Sequence, residues 1–462
     1  MSGAKPRIMQ TLHKLIATKE KWNMKKRWFI SVLASMTVML SACGSSGGPA
    51  ASSGSGGEGG SGGDQVELRM MWWGDQARAD LTNKALELFE QKHPDIKVVG
   101  EFSPQDGYFD KLNTQLASGT APDVFFLGGN VVDYANKGVL LDLQPYKGNE
   151  LKLDDMDTTM VQYGTINGKL VHISAGANAR GIVINKTLFE KAGIEVPQDG
   201  WNWEDYARIS KEISDKLGKG YYGTYNFTTD GMDIYLKQNG KQLYDMANNK
   251  LGFEEADILP WFQYWDQTSK AGGVVTPELQ VSNPPNDASK SLIIKGKVAM
   301  TLLPSNMLAS YQSLTQDELT MVQVPRGPKG TGVVFESSQG MSGYAKTQHP
   351  KEVAELMDFW INDPEAVKIL GSNRGVPVTA EGRKTLEAEA SAADKIVYDF
   401  TSRVSDANKK EPFAISYNPP GNAEFIKLAD NTVQLIGFGK ENVDKAVSDF
   451  YAGTVKIFQS NL

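Results

Sequence analysis

From residue 66 onward, the hydrophobic and polar positions alternate between strand and helix periods. The stretch Val66–Trp73 is rich in apolar residues and predicts a strand, and residues 78–92 carry apolar side chains at helical spacing until His93-Pro94 ends the helix. Residues 96–102 and 123–127 predict two further strands, with a second helix between them. This order predicts a parallel sheet covered by helices on both faces, and such sheets bind ligands beyond the carboxyl ends of their strands.

The second half of the chain repeats this pattern without repeating the sequence. Residues 181–184 and 221–225 predict short strands, and residues 203–217 form an amphipathic helical pattern between them. Residues 298–303 predict another buried strand, and a helix is expected to begin at Pro350. The order of elements therefore predicts an α/β fold with two units built in the same style.

The single cysteine among the 462 residues, Cys43, follows a pattern typical of an export signal. Residues 25–27 are basic, residues 28–40 form an apolar run that is short for a membrane span, and small residues lead into Cys43. The stretch resembles the lipobox of bacterial lipoproteins. This resemblance implies that residues 1–42 are removed as a signal peptide and that Cys43 carries acyl chains such as palmitate. The alternative is an ordinary buried cysteine behind an uncleaved anchor.

The segments on either side of this signal differ from a folded domain. Residues 1–23 fit the signal poorly, and a start at Met24 gives a better one. Residues 43–64 comprise the cysteine and a stretch made mostly of Gly and Ser, which predicts a flexible tether. About 400 residues remain after the leader, more than one hydrophobic core usually fills, so we expect two domains.

Composition and net charge limit the kinds of partner that the protein is expected to bind. The formal net charge of -7 includes the basic leader, and this acidic balance argues against nucleic acid and against a polybasic membrane surface. With its one cysteine assigned to lipid, the folded part has no disulfide, so its stability must come from its core. We expect no cofactor and no metal, because no phosphate-binding loop, HExxH motif or serine nucleophile elbow occurs, and we expect a monomer.

Several stretches, taken in order along the chain, together resemble one protein family. They are residues 86–98 (LELFEQKHPDIKV), 111–124 (KLNTQLASGTAPDV), 181–193 (GIVINKTLFEKAG), 201–206 (WNWEDY), 296–300 (GKVAM) and 373–377 (NRGVP). The combination resembles extracellular solute-binding proteins of family 1, the maltose-binding-protein-like sugar-binding lipoproteins and periplasmic proteins that feed ABC importers.

This resemblance implies a two-lobed periplasmic-binding-protein fold of type II, in which each lobe is a mostly parallel sheet flanked by helices. The implied lobes are residues 65–174 plus 299–343, and residues 175–298 plus 344–462. Several crossovers join the lobes, and we expect them near residues 174–179, 298–302 and 342–345. The cleft between the lobes is expected to close on the ligand.

The first candidate contacts follow the first predicted strand. A sugar presents ring faces and hydroxyls, so its site needs flat aromatic faces beside carboxylates, amides and guanidinium groups. Trp72 and Trp73 face opposite ways on a strand, so one is expected in the core and the other in the pocket, and we favour Trp73. Asp75 is expected to accept sugar hydroxyls, and Arg78 to donate to hydroxyls or to hold the carboxylate of an acidic sugar. The alternative for both is helix capping and a surface ion pair.

Further candidates come from the loops that the resemblance places around the cleft. These ligand-binding candidates are Asp106, Phe126, Asn130, Asn178, Arg180, Trp201, Asp230, Asn306 and Tyr417. For Trp201 the alternative is packing at a helix start, and for Tyr417 it is a turn outside the cleft. Asn306 stands where many relatives carry a tryptophan, so a stacking platform is expected to be missing there.

These features predict a lipid-anchored protein on the outer face of the cell membrane that captures a carbohydrate, in particular an oligosaccharide, and delivers it to an ABC importer. Binding is reversible and involves no enzymatic step. A binder of another organic solute is the nearest alternative. A distant one is an exported polysaccharide hydrolase, in which Asp75 with Asp230 or Glu336 would supply two carboxylates across a cleft.

Overall fold

The structure of the protein is a computed structural model that describes residues 65–245, 248, 250–413, 415 and 421–460. The export signal, Cys43, the tether and Tyr417 lie outside the described residues, so the predictions made for them stay predictions. Within the described part, none of the helices combines the length and the apolar character that crossing a membrane requires.

Strands and helices alternate along most of the described chain. The strands are β1 (Val66–Trp73), β2 (Ile96–Ser103), β3 (Val124–Leu127), β4 (Thr165–Ile166), β5 (Lys169–Leu170), β6 (Ile173–Asn178), β7 (Arg180–Asn185), β8 (Tyr222–Thr224), β9 (Tyr244–Asp245), β10 (Lys250–Leu251), β11 (Val298–Pro304), β12 (Leu319–Val322) and β13 (Glu336–Gly343). The α-helices are α1 (Gln76–Lys92), α2 (Tyr108–Ser118), α3 (Val131–Asn136), α4 (Thr158–Tyr163), α5 (Lys186–Ala192), α6 (Trp203–Leu217), α7 (Thr228–Gln238), α8 (Glu255–Ala271), α9 (Pro277–Ser282), α10 (Leu308–Gln312), α11 (Pro350–Asn362), α12 (Pro364–Leu370), α13 (Ala380–Glu387), α14 (Ala392–Lys410), α15 (Asn422–Gly437) and α16 (Val443–Ser460).

The first sheet has the strand order β2-β1-β3-β13-β6. Strands β2, β1 and β3 pair in parallel, as the alternation of strands and helices predicts, while β13 pairs antiparallel with both β3 and β6. One strand, β13, therefore runs against the other four. Its first residues lie at the same edge as the carboxyl ends of its neighbours.

The second sheet has the order β12-β7-β11-β8. Strand β7 is antiparallel to both of its neighbours, and β11 and β8 are parallel to each other. The prediction of mostly parallel sheets flanked by helices is confirmed, and each sheet contains one reversed strand. Two small antiparallel pairs, β4 with β5 and β9 with β10, lie outside these sheets.

Local sequence signals explain where key helices begin. The carboxylate of Asp75 accepts a hydrogen bond from the backbone N–H of Arg78 at 2.8 Å and so caps α1 directly after β1. Asn202 and Asp205 form a reciprocal capping box at the start of α6. Phe89 is fully buried on α1, which agrees with the helical face predicted for this segment.

The expected placement of residues 299–335 in the first lobe is wrong. Ile184 of β7 pairs with Met300 of β11 on one side and with Thr320 of β12 on the other, so both strands belong to the second sheet. The crossover expected at residues 298–302 is therefore the interior of a strand. An apolar run identifies a buried strand, but it does not identify the strand with which it pairs.

The helices that follow β13 also depart from the expected division. Phe359 of α11 contacts Phe89 of α1 with ring centroids 5.2 Å apart, and Lys92 at the end of α1 forms a 2.7 Å ion pair with Asp363. Helices α11 and α12 therefore pack beside the first sheet, and residues 342–345 continue there instead of crossing to the second lobe. The sequence alone did not indicate which distant residues the aromatic and charged side chains of α1 would contact.

After α11 and α12 the chain returns from the first sheet to the second. Backbone groups of Val376 and Ala177 exchange two hydrogen bonds of 2.9 Å beside the end of β6. Further along, Arg403 of α14 donates to the carbonyl of Met321 in β12 at 3.2 Å, so α14 packs on the second sheet. The return of the chain thus lies between Val376 and the start of α14 at Ala392, whereas the first crossover lies within the expected 174–179.

Candidate functional site

The carboxyl edge of the first sheet brings together residues from five strands. Because Trp73 pairs with Ser103, and Gly340 of β13 pairs with Leu127, the ends of β1, β2 and β3 lie side by side beside the start of β13. Glu336 at the start of β13 pairs with Asn178 at the end of β6. This edge is where ligands of open α/β sheets bind.

The second sheet meets this edge through one residue. Strand β6 ends at Asn178 in the first sheet, β7 begins at Arg180 in the second, and Ala179 joins them. The buried hydroxyl of Ser305, directly after β11, accepts from the N–H of Ala179 at 3.2 Å, and the N–H of Ser305 donates to the Ala179 carbonyl at 2.9 Å. Since Arg180 pairs with Pro304 at the end of β11, the carboxyl edges of both sheets converge on this crossover.

The two adjacent tryptophans of β1 have different surroundings. Trp72 is 1% exposed and stacks on Phe102 with ring centroids 6.3 Å apart, so it belongs to the core. Trp73 is 7% exposed and packs against Phe109 at 5.4 Å, while its ring edge would lie 3.8 Å from a Cβ placed on Gly128. Trp73 therefore lies under the loop at the end of β3. Gly128 in this loop has no side chain, which leaves space beside the Trp73 ring. The contact of Trp73 with a ligand stays a prediction.

Asp75 has the helix-capping role given as its alternative, whereas Arg78 forms hydrogen bonds to neutral oxygens and, among the described residues, no ion pair. The exposed Asp75 caps α1, and its charge acts on the guanidinium of Arg78. Nε and Nη2 of Arg78 donate to the side-chain and main-chain oxygens of Asn373 at 2.7 and 3.1 Å, and Nη1 donates to the carbonyl of Trp73 at 3.4 Å. Burial lowers the pKa of Arg78, and Asp75 partly opposes this shift.

A second guanidinium, which the sequence did not single out, lies next to the first. Arg374 follows Asn373 in the chain and is 4% exposed, with its guanidinium 4.8 Å from the ring of Phe126 and 5.3 Å from that of Trp360. Its Nη2 donates to the hydroxyl of Thr82 at 2.7 Å. Burial and, to a smaller extent, the charge of Arg78 together lower the pKa of Arg374 to about 9. The motif NRGVP was visible, but nothing in it indicated which residue would face the site.

Three predicted polar residues form one ionic cluster at the crossover. Arg180 lies 3.1 Å from Glu336 of β13 and 3.6 Å from Asp230 in the first turn of α7. Burial opposes the charge of Arg180, but the two carboxylates raise the pKa of its guanidinium overall. Glu336 belongs to the first sheet and Arg180 to the second, so this ion pair links the two sheets.

Asp430 of α15 adds a further carboxylate that the sequence did not reveal. Burial raises the pKa of Asp430, a hydrogen bond from Thr229 opposes the shift, and the nearby charge of Asp230 adds to it. The partly exposed Ile426 precedes Asp430 by one helical turn on the same face of α15. The second-lobe side of the site therefore carries Asp230 and Asp430 together with Arg180, while the first-lobe side carries the guanidinium groups of Arg78 and Arg374.

The remaining polar candidates occupy the same two edges. Asp106 is exposed before α2, and the side chain of Asn130 accepts from the N–H of Gly128 at 3.2 Å in the loop after β3. Asn178 is 8% exposed, and its Oδ1 has no hydrogen-bond partner among the described residues. Asn306 is exposed in a short 3₁₀ turn after β11. Each lies at a strand end, as predicted, and its contact with a ligand stays a prediction.

Two aromatic candidates are buried core residues. Phe126 is fully buried between Trp360, at a ring distance of 5.8 Å, and the guanidinium of Arg374. Trp201 is buried, and its indole N–H donates to the carbonyl of Gln323 at 2.8 Å. Full burial contradicts the prediction of a ligand contact for Phe126, whereas Trp201 has the packing role given as its alternative and its contact with a ligand stays a prediction.

Neither a metal-ligand cluster nor the two cavities described next supports a different candidate site among the described residues. Over the described residues, no group of three or more His, Cys, Asp or Glu side chains has the arrangement of a metal site. Two cavities of about 670 Å³ each lie elsewhere, one bordered by Lys241, Phe253 and Glu411 and the other by Lys152 and Phe359. None of the predicted ligand residues lines either of them, so the candidate site rests on the geometry of the strand ends.

Comparison with known proteins agrees with this architecture. Residues 74–367 match the family model of bacterial extracellular solute-binding proteins. The structure of a family 1 extracellular solute-binding protein from Alicyclobacillus acidocaldarius is similar with a TM-score of 0.77 and 26% identity, covering 85% of this chain and 98% of that one. A periplasmic oligogalacturonide binding protein from Yersinia enterocolitica gives a TM-score of 0.74 and 26% identity, covering 86% and 100%.

A relative found by sequence comparison is also a binding protein. The multiple sugar-binding protein of Streptococcus mutans is 25% identical over 254 residues, which are 52% of this chain and 53% of the relative. The family match extends over more than half of the chain, from the loop after β1 into α12. This protein therefore belongs to the bacterial extracellular solute-binding protein family.

Proposed function

We propose that this protein captures an oligosaccharide between the carboxyl edges of its two sheets and delivers it to an ABC importer. The observation that carries the proposal is the convergence of both edges on Ala179, with Trp73 and Arg78 on one side and Asp230 on the other. Aromatic faces, carboxylates and guanidinium groups are the partners that sugar rings and hydroxyls need. The sugar-binding names of similar proteins support a carbohydrate over another organic solute.

Closure of the two lobes on the ligand is part of this proposal. The connection at Ala179 is a single residue, and Arg180 and Glu336 form an ion pair across the sheets with side-chain exposures of 28% and 52%. Partly exposed ion pairs contribute only about 0.2–1 kcal/mol, so this one can rearrange as the lobes move. An importer can then distinguish the loaded protein from the empty one by its shape.

Reversible binding fits these residues better than hydrolysis does. A glycosidase needs two carboxylates that face the scissile bond as acid and as base or nucleophile. Here Asp230 and Glu336 both pair with Arg180, and Asp75 caps a helix. These engagements leave no such pair among the three carboxylates considered, which supports a non-enzymatic function.

Attachment to the outer face of the cell membrane is proposed from the sequence. Cys43 follows a basic and apolar signal and precedes the Gly- and Ser-rich residues 44–64, which would act as a tether. The family description, extracellular solute-binding protein, is compatible with this location. Acylation at Cys43 would keep a monomeric receptor near its importer without a membrane-spanning helix.

Ligand binding can be tested on the purified protein by a thermal-shift screen against neutral and acidic oligosaccharides. A sugar that binds only the folded state raises the unfolding temperature, and the rise grows with sugar concentration. Tryptophan fluorescence should change with the same dependence, and chromatography of the sugar should show no product. Release of shorter sugars by the purified protein, or no shift with any carbohydrate, would contradict the proposal.

A further inference from the structure

The positive charge at the first-sheet edge is not balanced by the groups around it. Among the described residues, neither Arg78 nor Arg374 has a carboxylate oxygen within 4.0 Å, whereas Arg180 has two such partners at the other side of the site. Nε and Nη1 of Arg374 are buried and have no hydrogen-bond partner in the part of the chain that the structure describes. These two adjacent guanidinium groups, opposed by the exposed Asp75, create a local positive potential.

The hydrogen bonds of Arg78 leave two N–H groups of its guanidinium available. A guanidinium has five N–H groups, and Arg78 uses one each from Nε, Nη1 and Nη2 on Asn373 and Trp73. Asn373 occupies the Nε and Nη2 edge with two oxygens, so two N–H groups remain, one on Nη1 and one on Nη2. Two N–H groups on these nitrogens match the two oxygens of a carboxylate.

Hydrogen bonds to Thr82 and Asn373 fix the position of Arg78. Its backbone carbonyl accepts from the hydroxyl of Thr82 at 2.8 Å, and Thr82 in turn accepts from Arg374 at 2.7 Å. Asn373 holds the side chain from the other direction. The guanidinium is held by Asn373 and by the Trp73 carbonyl, and a side chain held in this way loses little entropy when it binds an anion.

We propose that Arg78, backed by Arg374, forms an anion subsite beside Trp73, and that the captured oligosaccharide therefore carries a uronate carboxylate. This inference rests on the proposed function and names its substrate class. The ring face of the sugar lies toward Trp73, and the carboxylate at C6 replaces the hydroxymethyl group of a neutral hexose. The hydroxyls on the far side of the sugar meet the carboxylates of Asp230 and Asp430.

The experiment uses calorimetric titration with matched disaccharides that differ only in a carboxylate or a hydroxymethyl group at C6, in the galacto, gluco and manno series. In at least one series we expect the acidic sugar to bind about 10- to 100-fold more tightly, the scale of a hydrogen-bonded charged group. Added salt should weaken the acidic sugar more than the neutral one.

Three variants assign this preference to the subsite. Arg78→Gln should bring the acidic-to-neutral affinity ratio close to one, and Arg78→Lys should retain part of it because the charge remains without the planar fork. Arg208→Gln, an exposed arginine on α6, is the matched control and should keep the ratio. Thermal unfolding without sugar checks that each variant is folded.

The outcomes separate this inference from the proposed function. If neutral sugars bind as tightly as their acidic counterparts, or if only neutral sugars bind, the uronate assignment is wrong and the proposed function stands. If the acidic preference survives Arg78→Gln in the folded variant, the subsite is not at Arg78. If no carbohydrate of either kind binds, both the inference and the proposed function fail.

Discussion

Replacing Gly176 by alanine tests whether residues 373–377 close tightly over β6 at the crossover. A Cβ on Gly176 would lie 2.1 Å from the carbonyl oxygen of Arg374, whereas ordinary contacts begin near 3.4 Å. Both the glycine and its obstacle are backbone, so the segment must move by roughly 1.3 Å. Such a shift disturbs the two 2.9 Å hydrogen bonds between Ala177 and Val376.

The expected loss follows from these contacts. Two weakened backbone hydrogen bonds account for about 0.5–1.5 kcal/mol each. Overpacking adds about 1–3 kcal/mol. We therefore expect Gly176→Ala to lower the free energy of unfolding by about 2–6 kcal/mol.

The assay is urea unfolding followed by tryptophan fluorescence, with Gly128→Ala as the matched control. A Cβ on Gly128 has its nearest neighbour at 3.8 Å, which is ordinary contact. This control should change the free energy of unfolding by less than about 1 kcal/mol, and toward greater stability if the unfolded chain loses freedom. Equal midpoints for the two variants would refute the close approach at Gly176.

Four further predictions concern the site, the crossover, the core and the anchor. Trp73→Phe should weaken sugar binding about three- to tenfold in a titration, on the scale of lost stacking, and Trp72→Phe should not; equal effects would remove Trp73 from the pocket. Ser305→Ala leaves the buried N–H of Ala179 without its 3.2 Å acceptor and should cost about 1–3 kcal/mol in urea unfolding, whereas an unchanged midpoint would contradict this role. Burial lowers the pKa of His172 to about 3, so only the unfolded chain takes up this proton between the free value near 6.5 and pH 3. The stabilisation by the neutral histidine is therefore complete above about pH 6.5 and is lost as the pH falls. In urea unfolding at a series of pH values, His172→Gln should make the free energy of unfolding depend less on pH, and an unchanged pH dependence would assign it to another group. Cys43→Ser should move the protein from the membrane fraction to the soluble fraction, and retention at the membrane would argue against lipidation.

Much of the first lobe could be predicted from local patterns. The runs at β1, β2 and β3, the helices between them and the cap at Asp75 follow from spacing and side-chain chemistry within about ten residues of each position. Short-range periodicity governs these elements, because each one buries a face that its own sequence defines. The placement of Trp72 in the core and the proximity of Trp73 to the strand-end loops follow from the same alternation.

The candidate site was only partly accessible to such reasoning. Arg180, Asp230 and Glu336 were each noted in the sequence, but their meeting depends on β13 entering the first sheet next to β6. Phe126 and Trp201 carried the same kind of signal as a pocket residue, although both are buried in the core. Aromatic residues near strand ends look alike until their neighbours are known.

The sequence by itself determined the export pattern at Cys43, the two-unit α/β style, the family and the strand ends at which polar residues collect. Only the tertiary structure decided that β11 and β12 join the second sheet, that α11 and α12 stay with the first, and that Arg374 lies behind Arg78. The reason is physical: helix caps and periodic faces depend on neighbours along the chain, whereas strand partners and buried charges depend on contacts between residues as much as 295 positions apart, as for Arg78 and Asn373.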